Sequence, residues 1–390
     1  MEPTSDRKEI ARALLDRGTE PFDLELVPTT QEEDEASLRA DLAIPFPEGL
    51  GPDPQPIDPA PSPADPLPRA DAVVITWTVA ELNALADVLT PGYARTKWYR
   101  YAKDYESKYL PRIRDGAPAI KARRMASYFP TKLGSLDVLC MKSELHLNQD
   151  GKPTGDGTAT LPVKDLFGQI IEETGAKTVL TIGTSGGVAL EHDLGDVAVT
   201  RAAKFRLNDE FKNEPFNGKT YRSEWEIPQT RFEDAEKLMA RYADQLVEPD
   251  FGPPTKRYEF DGPLLTSEPA NTPSILLDGR DMPEFHPVLT TDFFEFGTSS
   301  NNLFEEGCAV EMGDAALGLI CEGMPSPPNW AIARNLSDPM INGDLPLGRG
   351  PLNMQTHWAV WYYEAYGYWT SVTGALATWG ILAGISDAGG

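Results

Sequence analysis

Cysteine is scarce in this chain of 390 residues, which has only Cys140, Cys308 and Cys321. They show no C-x-x-C spacing, so a disulfide framework is not suggested and reduced thiols in a cytoplasmic protein are expected. Histidine is almost as rare, with His146, His192, His286 and His357 and no H-E-x-x-H pair. No metal site and no cofactor are therefore expected. Basic charge is also short, at 35 Lys and Arg against 60 Asp and Glu, a formal net charge of -25. Nucleic acid and anionic membranes are held by clustered cations, so neither is expected as a partner. The opening MEPTSDRKEI has no apolar core and does not read as a secretory leader. The one long apolar stretch, Tyr366 to Ile385, carries small and hydroxylated residues and no basic flank, which reads as a buried helix rather than a membrane span.

What is present divides in two. Residues 1–70 hold 16 acidic and 6 basic residues, and the part from Asp41 to Ala70 has ten prolines. Such a segment buries too little apolar surface to offset its ordering entropy. An extended or disordered acidic arm is expected, interrupted by one short helix at about Arg7 to Leu15. Residues 71–390 read as the folded domain, with insertions near 91–130 and 207–287. The β-branched run Val73 to Thr76 passes into a helical pattern from Ala80 to Leu89. A strand pair is expected in YFPTKLGSLDVLCMKSEL and a helix from Leu161 to Ala176, then the buried strands TVLTIG and VAVT. GCAVEMGDAALGLICEG reads as strand into helix, NWAIARNLSDP as strand into loop, and the chain closes in a long helix. Helices alternating with buried strands indicate a layered α/β domain.

The motif GTSGG, Gly183 to Gly187, fits the G-x-S-x-G pattern of a hydrolase nucleophile elbow, and Ser185, Asp338 and His357 satisfy the chain order Ser, acid, His. Only VALEHD separates it from the LGD turn, too little for the helix that supports an elbow. The alternative is a glycine-rich turn whose backbone holds a ligand.

Four motifs in order, GTSGG with a downstream LGD, VEMGDAA, and RNLSDP near the end, resemble the purine nucleoside phosphorylase and nucleosidase superfamily, which includes 5'-methylthioadenosine nucleosidases. The resemblance implies a three-layer α/β/α sandwich with a mixed central sheet, nucleoside phosphorylase-like, and often a homo-oligomer. It also implies a purine nucleoside or nucleotide, with adenine the expected base, as small-molecule partner. Carried over by motif, Asp338 is the general acid that protonates the leaving base, and chemistry supports a carboxylic acid of raised pKa there. Glu81 holds the attacking water, next to a sugar carbon that gains positive charge. Phe294, or its neighbour Phe293, stacks on the base. Met312 packs under the sugar, and Gly183, Thr184, Ser185 and Gly186 line the turn beside it.

Two departures from the pattern bear on mechanism. Thr181 stands where phosphorolytic members carry a phosphate-binding arginine, so water is the expected nucleophile. Gly313 stands where a ribose-binding glutamate is expected, leaving Glu311 or Asp314 as the nearest acids. Three alternatives stay open. A phosphorylase would draw cations from Arg100, Arg112, Arg114, Arg123 and Arg124 or from a neighbouring subunit. A nucleotide-level nucleosidase would use Arg201, Lys204 and Arg206 for a 5'-phosphate. A non-catalytic nucleoside-sensing domain would be explained by Gly313.

Overall fold

The computed structural model describes residues 42–190, 192–246, 272–277, 281–282, 284–347 and 354–388. The expected helix at Arg7 to Leu15 lies outside them. Proline offers no N–H and a fixed φ, so residues 42–70 form almost no regular structure. They are seated on the domain. A two-residue strand β1 (Asp53–Pro54) pairs antiparallel with Thr131 and Lys132. The Leu67 N–H donates to the Glu173 carboxylate at 2.7 Å and the Ile57 N–H to the Tyr99 hydroxyl at 2.8 Å. Leu50 and Leu67 are buried. Composition registers the prolines but not these two leucines, each of which finds an apolar seat.

The run AVVIT forms β2 (Ala72–Thr76), buried throughout. Val73 and Ile75 enter the core on one face of the sheet and Ala72 and Val74 the core on the other, the two-residue period of a strand covered on both sides. Helix α1 (Val79–Leu89) follows, then β3 (Tyr99–Tyr101) and the hairpin β4 (Ala126–Leu133) and β5 (Leu136–Ser143). Helix α2 (Pro162–Thr174) leads to β6 (Thr178–Gly187), β7 (Val197–Thr200), β8 (Ala202–Arg206), β9 (Thr220–Arg222) and helix α3 (Phe232–Met239). After β10 (Ile275–Leu277) and the small pair β11 (Asp281–Met282) and β12 (Glu284–Phe285) come β13 (Val288–Thr291) and β14 (Ala309–Glu311). Helix α4 (Ala315–Glu322), strand β15 (Asn329–Asp338) and helix α5 (Met354–Ala388) complete the chain.

The main sheet has 13 strands in the order β1-β4-β5-β2-β6-β14-β13-β8-β9, with β3 on β4 and a branch through β15, β7 and β10. Parallel and antiparallel pairs are mixed. Helices α2 and α4 cover one face and α1, α3 and α5 the other, giving the expected three-layer α/β/α sandwich with a mixed central sheet.

Strand β6 organises this sheet. Strand β15 runs parallel along one edge of it from Thr178 to Gly186. On the other edge β2 pairs only with Thr178 to Thr181, and β14 only with Gly186 and Gly187. The sheet therefore forks over residues 182–185. GTSGG is not the expected turn but the end of this strand, kept extended by its ladder to β15 although glycine is a weak strand former.

Helix α5 is apolar on all sides because it lies between α1, α3 and the sheet. Its buried hydroxyls bond back within the helix or to neighbours, as Thr370 does to the Tyr366 carbonyl and Thr373 to the Gly195 carbonyl. Gly374 forms a notch, where a Cβ would stand 2.6 Å from the Asn335 amide oxygen. Among the described residues no helix is long and apolar enough to cross a membrane.

Candidate active site

The cleft opens at the fork. Strands β2, β6 and β15 are parallel, so their carboxyl ends finish together, the place where open α/β sheets offer a crevice. Residues 182–185 of β6 lack a strand partner there, and a buried N–H needs an acceptor. Glu81 supplies it. Its Oε1 accepts from the Thr184 N–H and the Thr184 hydroxyl, both at 2.8 Å. Its Oε2 accepts from the Thr76 hydroxyl at 2.7 Å, the Trp77 N–H at 2.9 Å and the Thr78 N–H at 2.8 Å. The last bond belongs to a capping box, completed by the Glu81 N–H donating to the Thr78 hydroxyl. Burial alone would raise the Glu81 pKa. The charge of Arg334 and these hydrogen bonds outweigh it and hold the carboxyl below its ordinary value.

Arg334, on β15, is the charge about which this wall is built. Its Nε and Nη2 bond Asp314 at 2.7 and 2.6 Å, its Nη2 lies 3.1 Å from Glu311, and its Nη1 donates to the Thr184 carbonyl at 3.1 Å. The Trp77 ring covers it at 5.0 Å. Glu311 also accepts from the Gly313 N–H, the Asp314 N–H and the Thr290 hydroxyl. Burial and the neighbouring Asp314 carboxylate nevertheless raise the Glu311 pKa against the pull of Arg334.

Asp338 ends β15 across the cleft. The β6–β15 register slips between Leu336 and Asp338, a bulge that turns Asp338 toward Gly186. Its Oδ1 accepts from the Ser337 hydroxyl at 2.9 Å. Burial pushes its carboxyl up to about 7, and the Ser337 bond offsets only part of that. Two glycines of β6 make room for these groups. A Cβ on Gly186 would stand 3.0 Å from Asp338 Oδ2, and one on Gly183 2.6 Å from Arg334 Nη1 and 2.7 Å from Glu81 Oε1.

Of the sequence-predicted residues, Glu81, Thr184, Ser185, Gly186, Phe294, Glu311, Met312 and Asp338 line this one cleft. Phe294 packs beside Phe296, ring centroids 5.8 Å apart. Three others stand behind the lining: Gly183 under Arg334, Asp314 fully buried on the guanidinium, and Phe293, whose carbonyl accepts from Thr291 at 2.8 Å. Ser185 sits inside a strand with its hydroxyl 3.4 Å from the Asn335 carbonyl, and no helix begins at Gly187. An elbow geometry is therefore absent. The side chain of His357 lies outside the described residues.

Arg334, Trp77, His146, Glu295, Ser337 and Tyr363 also line the cleft and were not anticipated. Arg334 had a sequence signal, an arginine inside the apolar run IARNL, since a cation in a buried strand requires acids. The cations proposed for phosphate each have a partner: Arg112 with Asp165, Arg114 with Glu210, Arg123 with Glu106, Arg124 with Glu144, and Arg100 with the Ala122 carbonyl. Lys204 pairs with Glu306, Arg206 with Glu295 and Glu306, and Arg201 donates to the Trp225 carbonyl. Among the described residues no group of three or more His, Cys, Asp or Glu is placed to hold a metal ion.

Neither a protein-family model nor a curated protein sequence matches the chain. Solved structures similar to it include a 5'-methylthioadenosine/S-adenosylhomocysteine nucleosidase from Neisseria meningitidis in complex with methylthio-immucillin-A, at 14% identity and a TM-score of 0.43, covering 80% of this chain and 98% of that one. Futalosine hydrolase of Helicobacter pylori is similar at 10% identity and 0.41, covering 80% and 96%. A putative 5'-methylthioadenosine/S-adenosylhomocysteine nucleosidase from Borrelia burgdorferi, bound to adenine, is similar at 15% identity and 0.42, covering 80% and 98%.

Proposed function

We propose that the chain hydrolyses the N-glycosidic bond of a purine nucleoside and releases the free base, with adenine the first base to test. One observation carries this reading: Asp338, whose burial raises its carboxyl to about 7, and Glu81, whose donors and Arg334 hold its carboxyl below the ordinary value, line the same cleft. Splitting a glycosidic bond needs both, an acid for the leaving group and an anion near the carbon that becomes positive.

In this mechanism Asp338 donates its proton to N7 of the purine, and the electron pair of the C1'–N9 bond passes to the base. Water attacks C1' and the proton it loses returns through solvent to the Asp338 carboxylate, so the products are neutral base and free sugar. Glu81 already receives five donors, four of them backbone N–H groups or the inward Thr76 hydroxyl. The fifth comes from the hydroxyl of Thr184, a residue that lines the cleft. Water takes its place on Oε1 and is oriented by it. Phe294 packs on the base, and Met312 lies under the sugar.

Water is favoured over phosphate as the nucleophile by charge. Among the described residues Arg334 is the one arginine or lysine lining the cleft, and it is committed to Asp314 and Glu311. A dianion would meet uncompensated carboxylates. The same argument disfavours a 5'-phosphate. The test is chromatographic: adenosine, 5'-methylthioadenosine, AMP and inosine are each incubated with the purified protein, with and without phosphate. Free base from an uncharged nucleoside without phosphate is expected. Release only with phosphate would make the enzyme a phosphorylase, and binding with no release from any substrate would leave a nucleoside-sensing domain.

A further inference from the structure

The sugar side of the cleft carries a more specific message, which rests on the nucleosidase reading above. We infer that the substrate is a 2'-deoxynucleoside, because the carboxylates beside the sugar have no acceptor left for a 2'-hydroxyl.

A carboxylate offers about four lone-pair sites. Glu81 fills them with five donors, of which only the Thr184 hydroxyl is exchangeable, and the attacking water uses that place. Glu311 fills its own with the Gly313 and Asp314 N–H groups, the Arg334 guanidinium and the Thr290 hydroxyl. None of these is exchangeable. Thr290 is itself fixed, since its oxygen accepts from the Ala315 N–H at 2.9 Å, and the other three donors are backbone or buried cation. Asp314 is fully buried, with both oxygens on Arg334.

Between these acids lies an apolar patch. Gly313 presents no side chain, and the place a Cβ would occupy looks onto the Trp77 ring at 3.5 Å, with the saturated Glu311 Oε2 at 3.8 Å. The indole N–H of Trp77 is spent on the Leu145 carbonyl at 3.0 Å. Met312 and Val310 also line the cleft. A hydroxyl set against this patch gains no acceptor from the two carboxylates, a penalty of about tenfold in binding. A methylene in its place loses nothing.

Removing the 2'-hydroxyl also makes a glycosidic bond intrinsically easier to break, so rate alone does not decide the matter and binding must be read. The Asp338→Asn variant, in which turnover is slow, is titrated calorimetrically with 2'-deoxyadenosine and with adenosine, while the wild-type chain is assayed for adenine release from both. A Kd at least about tenfold lower for 2'-deoxyadenosine is expected, together with adenine release by the wild type. Equal affinity, or tighter binding of adenosine, with adenine still released would overturn the deoxy preference and leave the nucleosidase reading intact. No release from either nucleoside by the wild type would overturn both.

Discussion

The two ends of the cleft hold the same kind of group in opposite states. Asp338 stands with one hydroxyl neighbour and no cation, and its burial keeps it protonated up to about pH 7. Glu81 is as deeply enclosed but sits in a ring of donors next to Arg334, and it stays ionised. Burial by itself does not set the charge of a carboxyl; the donors available to it do. The donors here are distributed unequally, five on the glutamate in the first turn of α1 and one on the aspartate at the end of β15.

That contrast can be broken most severely from the acid end. Asp338→Asn keeps the shape and removes the proton, so turnover should fall about 10²- to 10⁴-fold, measured as base release, with ligand affinity nearly unchanged. At the other end, replacing Arg334 by Met leaves buried carboxylates without their cation. A loss of about 3–5 kcal/mol in unfolding free energy is expected by denaturant titration. Stability preserved in that variant would mean that the three acids do not depend on the guanidinium.

The pH dependence sharpens the comparison, because the two carboxyls work in opposite directions. The folded pKa of Asp338 is raised, so the stability it lends is whole below its unfolded value of 3.8 and is lost as pH climbs through about 7. Asp338→Asn should therefore unfold less readily than wild type at pH 8, by a few kcal/mol, and the difference should shrink toward pH 4. Glu81 is depressed, so its contribution is present above 4.5 and is lost as pH falls below that value. Wild-type activity should decline on the alkaline side as Asp338 ionises, and an activity rising steadily to pH 9 would remove Asp338 from the acid role. A smaller effect, a change of about threefold or less in kcat, is expected for Thr184→Val, because the hydroxyl it deletes is the one that water displaces from Glu81 while the Thr184 N–H donor stays. The smallest is Ser185→Ala, with turnover within about twofold of wild type, since its hydroxyl makes only a long bond to the Asn335 carbonyl.

Asp338 and Glu81 stand out in the sequence only through motif resemblance, RNLSDP and the helix start after VVITW, since an aspartate before a proline and a glutamate in a first helical turn are each ordinary by themselves. Arg334 is visible only as a demand for acids. Its partners Glu311 and Asp314 lie on another strand and helix start, and their proximity follows from the strand order, which no local pattern contains. The glycines of GTSGG suggest a turn, and the ladder to β15 overrides that preference. The fork between β2 and β14, where the cleft opens, is a property of three strands together. The proline-rich arm shows the same limit, since its composition favours disorder while two leucines and a few backbone donors tie it down.

Helix α5 contributes Val360 and Tyr363 to the cleft while its other half is packed between α1, α3 and the sheet. Gly374, in the notch against Asn335, lies eleven residues beyond Tyr363, about 16 Å along the axis at 1.5 Å per residue. The helix is thus seated in the core at one end and lines the cleft at the other. A methyl group added at Gly374 would meet the Asn335 side chain, and Gly374→Ala is expected to disturb the cleft through the seating of the helix although Gly374 does not line it.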